Sequence, residues 1–155
     1  MDVRDVLKLK DKTLYSVSPN APIAEAIILM DENDIGAVVV VEADEVVGML
    51  TFREVIAILA RRLKERYAGP TPPILEIFVH EAMYRNPPLA TLDMDVDELR
   101  RLMLDNKARY LPVMDGNTVI CVVSLRDVAK AVLQEKSFEN KALRSYIYNW
   151  PDGRV

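Results

Sequence analysis

The sequence predicts an α+β fold in which one small unit is used twice. Two observations carry that prediction. Residues 17–60 superimpose on residues 90–133 with one constant offset of 73 and no gap. Each copy then reads in the same order: helix, strand, strand, helix. Leu29 falls on Leu102, Met30 on Met103, Asn33 on Asn106, Val40 on Val113 and Val46 on Val119. Identity is low, but Thr51 also meets Ser124, Arg53 meets Arg126, and Glu54 meets Asp127.

The elements follow in order. A short amphipathic turn opens each copy, Val3–Leu7 and Val79–Met83, and here the offset slips by three residues, which asks for a gap in the loop that follows. The polar stretches Ser18-Pro19-Asn20-Ala21-Pro22 and Thr91-Leu92-Asp93-Met94-Asp95 supply Ser, Asn or Asp caps for the helix behind them. Ile23, Ile27 and Met30 in one copy, and Val96, Leu99 and Met103 in the other, recur at helical spacing. Ala37–Val41 and Tyr110–Met114 read as strands buried on both faces. Polar turns follow, Glu42-Ala43-Asp44-Glu45 and Asp115-Gly116-Asn117, the latter a hairpin signal. Second strands run through Val46–Leu50 and Val119–Val123. Thr51-Phe52-Arg53-Glu54 and Ser124-Leu125-Arg126-Asp127 then open another helix with capping signals.

These elements divide the chain into a first repeat at 1–68, a Pro-containing linker at 69–78, a second repeat at 79–135 and a helical tail at 136–155. In the linker, Gly69-Pro70-Thr71-Pro72-Pro73 breaks the charged helix before it. The tail carries Leu143, Tyr146, Ile147 and Trp150 at helical spacing. It reads either as a helix docked on its own domain or as a face for a partner.

Composition narrows the function classes. Half of the 155 residues are apolar and only 6% aromatic, so aliphatic side chains and Met do most of the packing. A net charge of -4 gives no overall help in neutralising phosphates, so no nucleic acid is expected. The charged start, Met1 to Lys12, has no signal-peptide pattern, and charges break every apolar run short of a membrane span. A cytoplasmic protein without membrane contact is the expectation. The one cysteine, Cys121, excludes an intramolecular disulfide. It reads as a small buried hydrophobe before a redox thiol.

A repeated unit ending in Gly, two apolar residues, Thr or Ser, and an acid three positions on resembles the CBS domain. Here it stands as Gly48-Met49-Leu50-Thr51-Phe52-Arg53-Glu54 and as Cys121-Val122-Val123-Ser124-Leu125-Arg126-Asp127. Ala108-Arg109-Tyr110-Leu111-Pro112-Val113 is also similar to the family's helix-to-strand junction, and the resemblance runs from about Val3 to Leu133. It implies two β-α-β-β-α repeats packed as a pseudo-two-fold pair. It further implies a homodimer formed through the helices and a stand-alone regulatory protein.

Residue chemistry suggests the ligand. A carboxylate one turn into a helix can accept both hydrogen bonds of a ribose diol. A hydroxyl at the helix N-cap sits where phosphate is favoured, and an Arg beside it can pair with that phosphate. Asp127, Ser124 and Arg126 supply these parts. By the resemblance, Thr13, Tyr15, Ile35, Gly36 and Ala37 of the other repeat would hold the base, with Gly36 and Ala37 leaving room for adenine. A second site would join Thr51, Arg53 and Glu54 to Asn86, Pro88, Ala108, Arg109 and Tyr110. It departs from the pattern in carrying Glu54 for Asp. Arg109 could serve a phosphate in either site. Cys121 in place of glycine changes the backbone requirement beside the first site. The expected ligand is AMP, ADP, ATP or NAD(H), with no cofactor required and an unknown protein client. Arg126 and Arg109 argue against cationic S-adenosylmethionine. Ser124, Thr51, Asp127 and Glu54 also read as plain helix caps.

An enzyme finds little support. There is one His, His80, read as surface or packing, and no cluster of Cys or His for a metal. No G-x-G-x-x-G or P-loop pattern occurs. A module that only binds other proteins is the stronger alternative to a nucleotide sensor, and the tail is its best feature.

Overall fold

The structure, a computed structural model, describes residues 1–68 and 76–148. The prolines of the linker and Trp150 lie outside them. The chain opens with α1 (Val3–Leu7), β1 (Ser16–Val17), α2 (Ile23–Glu32), β2 (Ala37–Glu42), β3 (Glu45–Thr51) and α3 (Phe52–Ala68). It resumes with α4 (Val79–Ala82), β4 (Tyr84–Arg85), β5 (Ala90–Thr91), α5 (Val96–Asp105), β6 (Tyr110–Asp115), β7 (Thr118–Ser124) and α6 (Leu125–Tyr148).

Each repeat builds one sheet. β1 runs parallel to β2, with Ser16 opposite Val39, and β2 pairs antiparallel with β3. β5 is parallel to β6, and β6 antiparallel to β7, in the same arrangement. Even the irregularities match: the register shifts between Val40 and Val41, and again between Val113 and Met114. The first sheet gains a fourth strand, because β4 pairs with β3 at Gly48 and Met49. A Cβ on Gly48 would stand 2.7 Å from the Tyr84 carbonyl oxygen and 2.7 Å from Met83 Sδ, so only glycine admits β4 there. The matching residue of the second repeat is Cys121. Its side chain is fully buried in the core, and among the described residues no strand pairs outside it. That burial decides between the two readings of the thiol, and it pushes the Cys121 pKa up.

The caps fall partly as expected. Asp95 caps α5, its carboxylate accepting from the Asp97 N–H at 2.8 Å. Pro22 occupies that position before α2 and makes no side-chain cap, so the Ser and Asn of the preceding stretch do not cap the helix. The first part of the tail continues α6 without a break, and the described side chains from Leu133 to Ser145 are all exposed, while those of Tyr146, Ile147 and Trp150 lie outside the described residues.

The two cores exchange their leading helices. Val3, Val6 and Leu7 of α1 pack among Leu99, Met103, Leu111 and Val123 of the second repeat. Ile77, Val79 and Met83 pack among Ile23, Met30, Val38 and Leu50 of the first. Backbone bonds fix both exchanges. Val3 N–H donates to Met94 O at 3.0 Å and Val96 N–H to Met1 O at 3.0 Å. Ile23 N–H donates to Ile77 O at 2.8 Å and Val79 N–H to Ala21 O at 2.9 Å. The repeats therefore alternate in sequence but interlock in space. β2 and β3 of one sheet also meet β7 of the other.

Candidate functional site

The helix-to-strand junction is shaped by a helix stop. Asn33 caps α2 and its amide donates to Leu29 O at 2.9 Å. Asp34 follows with a left-handed φ of 51°, and the Ile35 N–H returns to Met30 O at 3.0 Å. This is a Schellman stop with a non-glycine residue at its strained position. It turns Ile35, Gly36 and Ala37 toward the second repeat. The same stop recurs at Asn106, Lys107 and Ala108.

On the facing side, α6 opens with a capping box. Ser124 Oγ accepts from the Asp127 N–H at 3.1 Å, and Asp127 Oδ2 accepts from the Ser124 N–H at 2.8 Å. The box holds the carboxylate one turn into the helix. Thr51 and Glu54 form its counterpart at α3: Glu54 Oε1 accepts from the Thr51 N–H at 3.0 Å and from the Thr51 hydroxyl at 2.7 Å.

A cleft of about 650 Å³ lies between the repeats. Its first wall carries Thr13, Tyr15, Ile35, Gly36 and Ala37. Ser124, Arg126 and Asp127 stand on the second. The structure thus gathers the whole first set of residues in one place. Thr13 is tied locally, since its hydroxyl and its N–H both donate to Asp11 Oδ1, at 2.8 and 3.0 Å. Those bonds hold the Asp11 carboxyl below its usual range.

The repeat that builds this cleft has known relatives. A family model described as CBS domain matches residues 3–61 and 79–134. The chain belongs to the CBS-domain family. It is 34% identical over 122 residues to the CBS domain-containing protein YhcV of Bacillus subtilis, covering 79% of this chain and 81% of that one. A protein with CBS domains from Burkholderia ambifaria superimposes with a TM-score of 0.74 at 32% identity, over 86% of this chain and 95% of that one. The CBS pair of CBSX2, solved in complex with AMP, gives 0.70 at 23% identity, over 87% and 98% of the two chains. That of MJ0100, solved with 5-methylthioadenosine and S-adenosyl-L-methionine, gives 0.72 at 22%, also over 87% and 98%. The last two likenesses establish the CBS-pair fold and no more.

Of the second set, Arg109 and Tyr110 line this same first cleft of the CBS pair. Tyr110 leans over Gly36: a Cβ there would stand 2.7 Å from Tyr110 Cζ and 3.1 Å from the Phe52 ring. The end of the Tyr110 side chain thus takes the space beside Gly36 that was expected for adenine, so a base lies against Gly36 only when that ring moves aside. Thr51 and Glu54 cap α3, and the exposed Arg53 donates its N–H to Thr51 Oγ1 at 3.2 Å. Asn86 ends β4 at a φ of 52°, Pro88 follows in the loop before β5, and Ala108 closes the α5 stop. None of these six lines the first cleft. Beside Glu54 stands Tyr84, whose phenol is pushed up to about 12 by burial and then by the Glu54 charge. His80 stacks on Phe78 with ring centroids 5.6 Å apart, as a packing residue would. No group of metal-ligating side chains occurs among the described residues, and no described helix is long and apolar enough to cross a membrane.

Sequence reasoning missed two cations of the first cleft. Lys10 donates to Asp127 Oδ2 at 2.9 Å and to Val122 O, and Lys130 donates to Leu9 O at 3.3 Å. The slip in the repeat offset was the available signal. Nine residues separate Leu7 from Val17, against six between Met83 and Ala90, and Lys10 lies in the longer segment.

Proposed function

We propose that this chain is a non-catalytic regulatory module that binds an adenine nucleotide in the cleft between its CBS repeats. The observation that carries the reading is the pairing of two unlike walls. One offers a helix-borne carboxylate, an N-cap hydroxyl and guanidinium groups from Arg126 and Arg109. The other offers small or apolar residues beside the backbone of Gly36 and Ala37. In this reading Asp127 takes the ribose, Ser124 and Arg126 the phosphate, and Thr13, Tyr15, Ile35, Gly36 and Ala37 the base. AMP, ADP, ATP and NAD(H) all fit that description. Binding biases one arrangement of the repeats, by no more than the difference in affinity for the two. Thr51, Arg53 and Glu54 with Asn86, Pro88 and Ala108 form a weaker second candidate, because Arg109 and Tyr110 already serve the first cleft.

Thermal unfolding against AMP, ADP, ATP, NAD, NADH and S-adenosylmethionine tests the reading in nucleotide-free protein. A ligand at a hundredfold excess over its Kd adds about 2.7 kcal/mol, roughly 5–10 °C at this chain length. One adenine nucleotide should give that rise in wild type and not in Asp127→Ala. The variant itself loses about 1 kcal/mol of capping, so the ligand-induced shift is the quantity to compare. No shift with any nucleotide sinks the reading.

A second reading keeps the module and drops the ligand. The exposed Leu133, Phe138 and Leu143 on the α6 extension support docking on a partner protein. We also infer that two copies associate through α3 and α6. Phe52, Ile56, Leu59 and Leu63 stand exposed along one stripe of α3, and Leu125 repeats Phe52 on α6.

A further inference from the structure

We propose that Lys10 is a specificity-determining residue of the cleft, selecting adenosine compounds that carry phosphate over uncharged or cationic ones. The inference rests on the nucleotide reading above and sharpens its ligand class. The Lys10 ammonium sits on the very oxygen, Asp127 Oδ2, that a ribose diol needs for a two-point contact. It is held there from several sides. Val122 O accepts a second of its hydrogens, and Lys130 ties the neighbouring Leu9 carbonyl to α6 at 3.3 Å. Both partners of the pair are only 20% exposed, so water does not screen it as it would on an open surface.

The second repeat explains why this lysine is present. At the matching edge of the first sheet, Gly48 admits β4, which occupies that edge with backbone. Cys121 stands in place of that glycine, and the side chain of Lys10 bonds the Val122 carbonyl instead. The three extra residues between Leu7 and Val17 give the segment the length to do so. Glu54, the counterpart of Asp127, accepts from Thr51, and among the described residues it faces the Tyr84 phenol rather than an ammonium.

The consequence follows from charge. A nucleoside that grips Asp127 with both hydroxyls must release the ammonium from a partly buried carboxylate. A neutral nucleoside offers the freed ammonium nothing in return. A phosphate does, because Lys10 lines the same cleft as Arg109 and Arg126 and can pass from carboxylate to phosphate. A sulfonium adds a like charge and is disfavoured further.

Isothermal titration of the full chain with AMP and with adenosine tests this in wild type, Lys10→Met and Lys10→Arg. Wild type should prefer AMP by well over tenfold. Lys10→Met should narrow that preference at least tenfold, adenosine binding more tightly and AMP more weakly. Lys10→Arg keeps the charge and should keep the preference, which separates charge from any loss of packing. An unchanged preference in folded Lys10→Met overturns the proposal while the nucleotide reading stands. If AMP and adenosine bind none of the three proteins, this proposal is overturned, and the nucleotide reading falls with it when ADP, ATP, NAD and NADH fail to bind as well.

Discussion

Ala43 and Asp44 stand at φ of 49° and 62° in the turn between β2 and β3. Two left-handed residues in succession make the turn that suits a two-residue hairpin, and Asn or Gly fits it best. Alanine carries its Cβ into that region at a cost of about 1 kcal/mol. Ala43→Asn should therefore raise stability by roughly that amount, read as a higher urea midpoint at unchanged slope. Glycine would relieve the same strain but loosen the unfolded chain, so its gain should be smaller. The position of this turn is legible in the sequence from its acidic residues. Its hand is not, because alanine does not announce it. Tyr84 gives a second residue-scale test. Burial and the Glu54 charge raise its phenol to about 12 from 10.0. A raised folded pKa means that the stabilisation is complete below pH 10 and is lost as pH climbs toward 12. Alkaline unfolding over that window should be shallower in Tyr84→Phe than in wild type. Equal slopes would show that the phenol titrates alike in both states.

At the scale of elements, α1 belongs to the repeat it does not precede. Leu7 is 2% exposed within the core of α5, β6 and β7. Leu7→Ala should cost about 2–5 kcal/mol, the usual range for a buried Leu truncated in a packed core. The informative readout is its place. Amide exchange should quicken first in β6 and β7, with β2 and β3 following only if the pair unfolds together. Quickening confined to β2 and β3 would contradict the exchange. The spacing of Val3, Val6 and Leu7 shows that α1 has a buried face, and the repeat shows that α4 has one too. Neither says which core receives it, because apolar side chains are alike to any apolar partner. The walls of the cleft were easier to read. Ser124 and Asp127 sit where the capping signal of α6 places them, and Gly36 and Ala37 were legible only through the resemblance to the CBS domain. Lys10 escaped because it acts from a loop whose length, not whose residue type, places it.

At the scale of the molecule, the two repeats bury each other's leading helices but, among the described residues, leave α3 without a neighbour along one stripe. Phe52, Ile56, Leu59 and Leu63 are 54%, 65%, 42% and 59% exposed. They recur at the spacing of one helix face. The pseudo-two-fold puts a related face on α6, beginning at Leu125, so a second copy can meet both helices with matching surfaces. Leaving such a stripe in water forfeits about 25 cal/mol per Å² of apolar area, a strong drive to association. The partner that the symmetry favours is another copy, and the cleft would then be read out through the way two pairs sit together. Sedimentation velocity should give a dimer at micromolar concentration. Ile56→Glu should weaken the dimer at least a hundredfold, because the charge must be buried without a partner. Its far-ultraviolet spectrum should stay that of wild type, since the residue is exposed within one copy. A wild-type monomer at high micromolar concentration would assign the stripe to a different protein, and α3 together with the α6 extension would become the surface on which to seek that client.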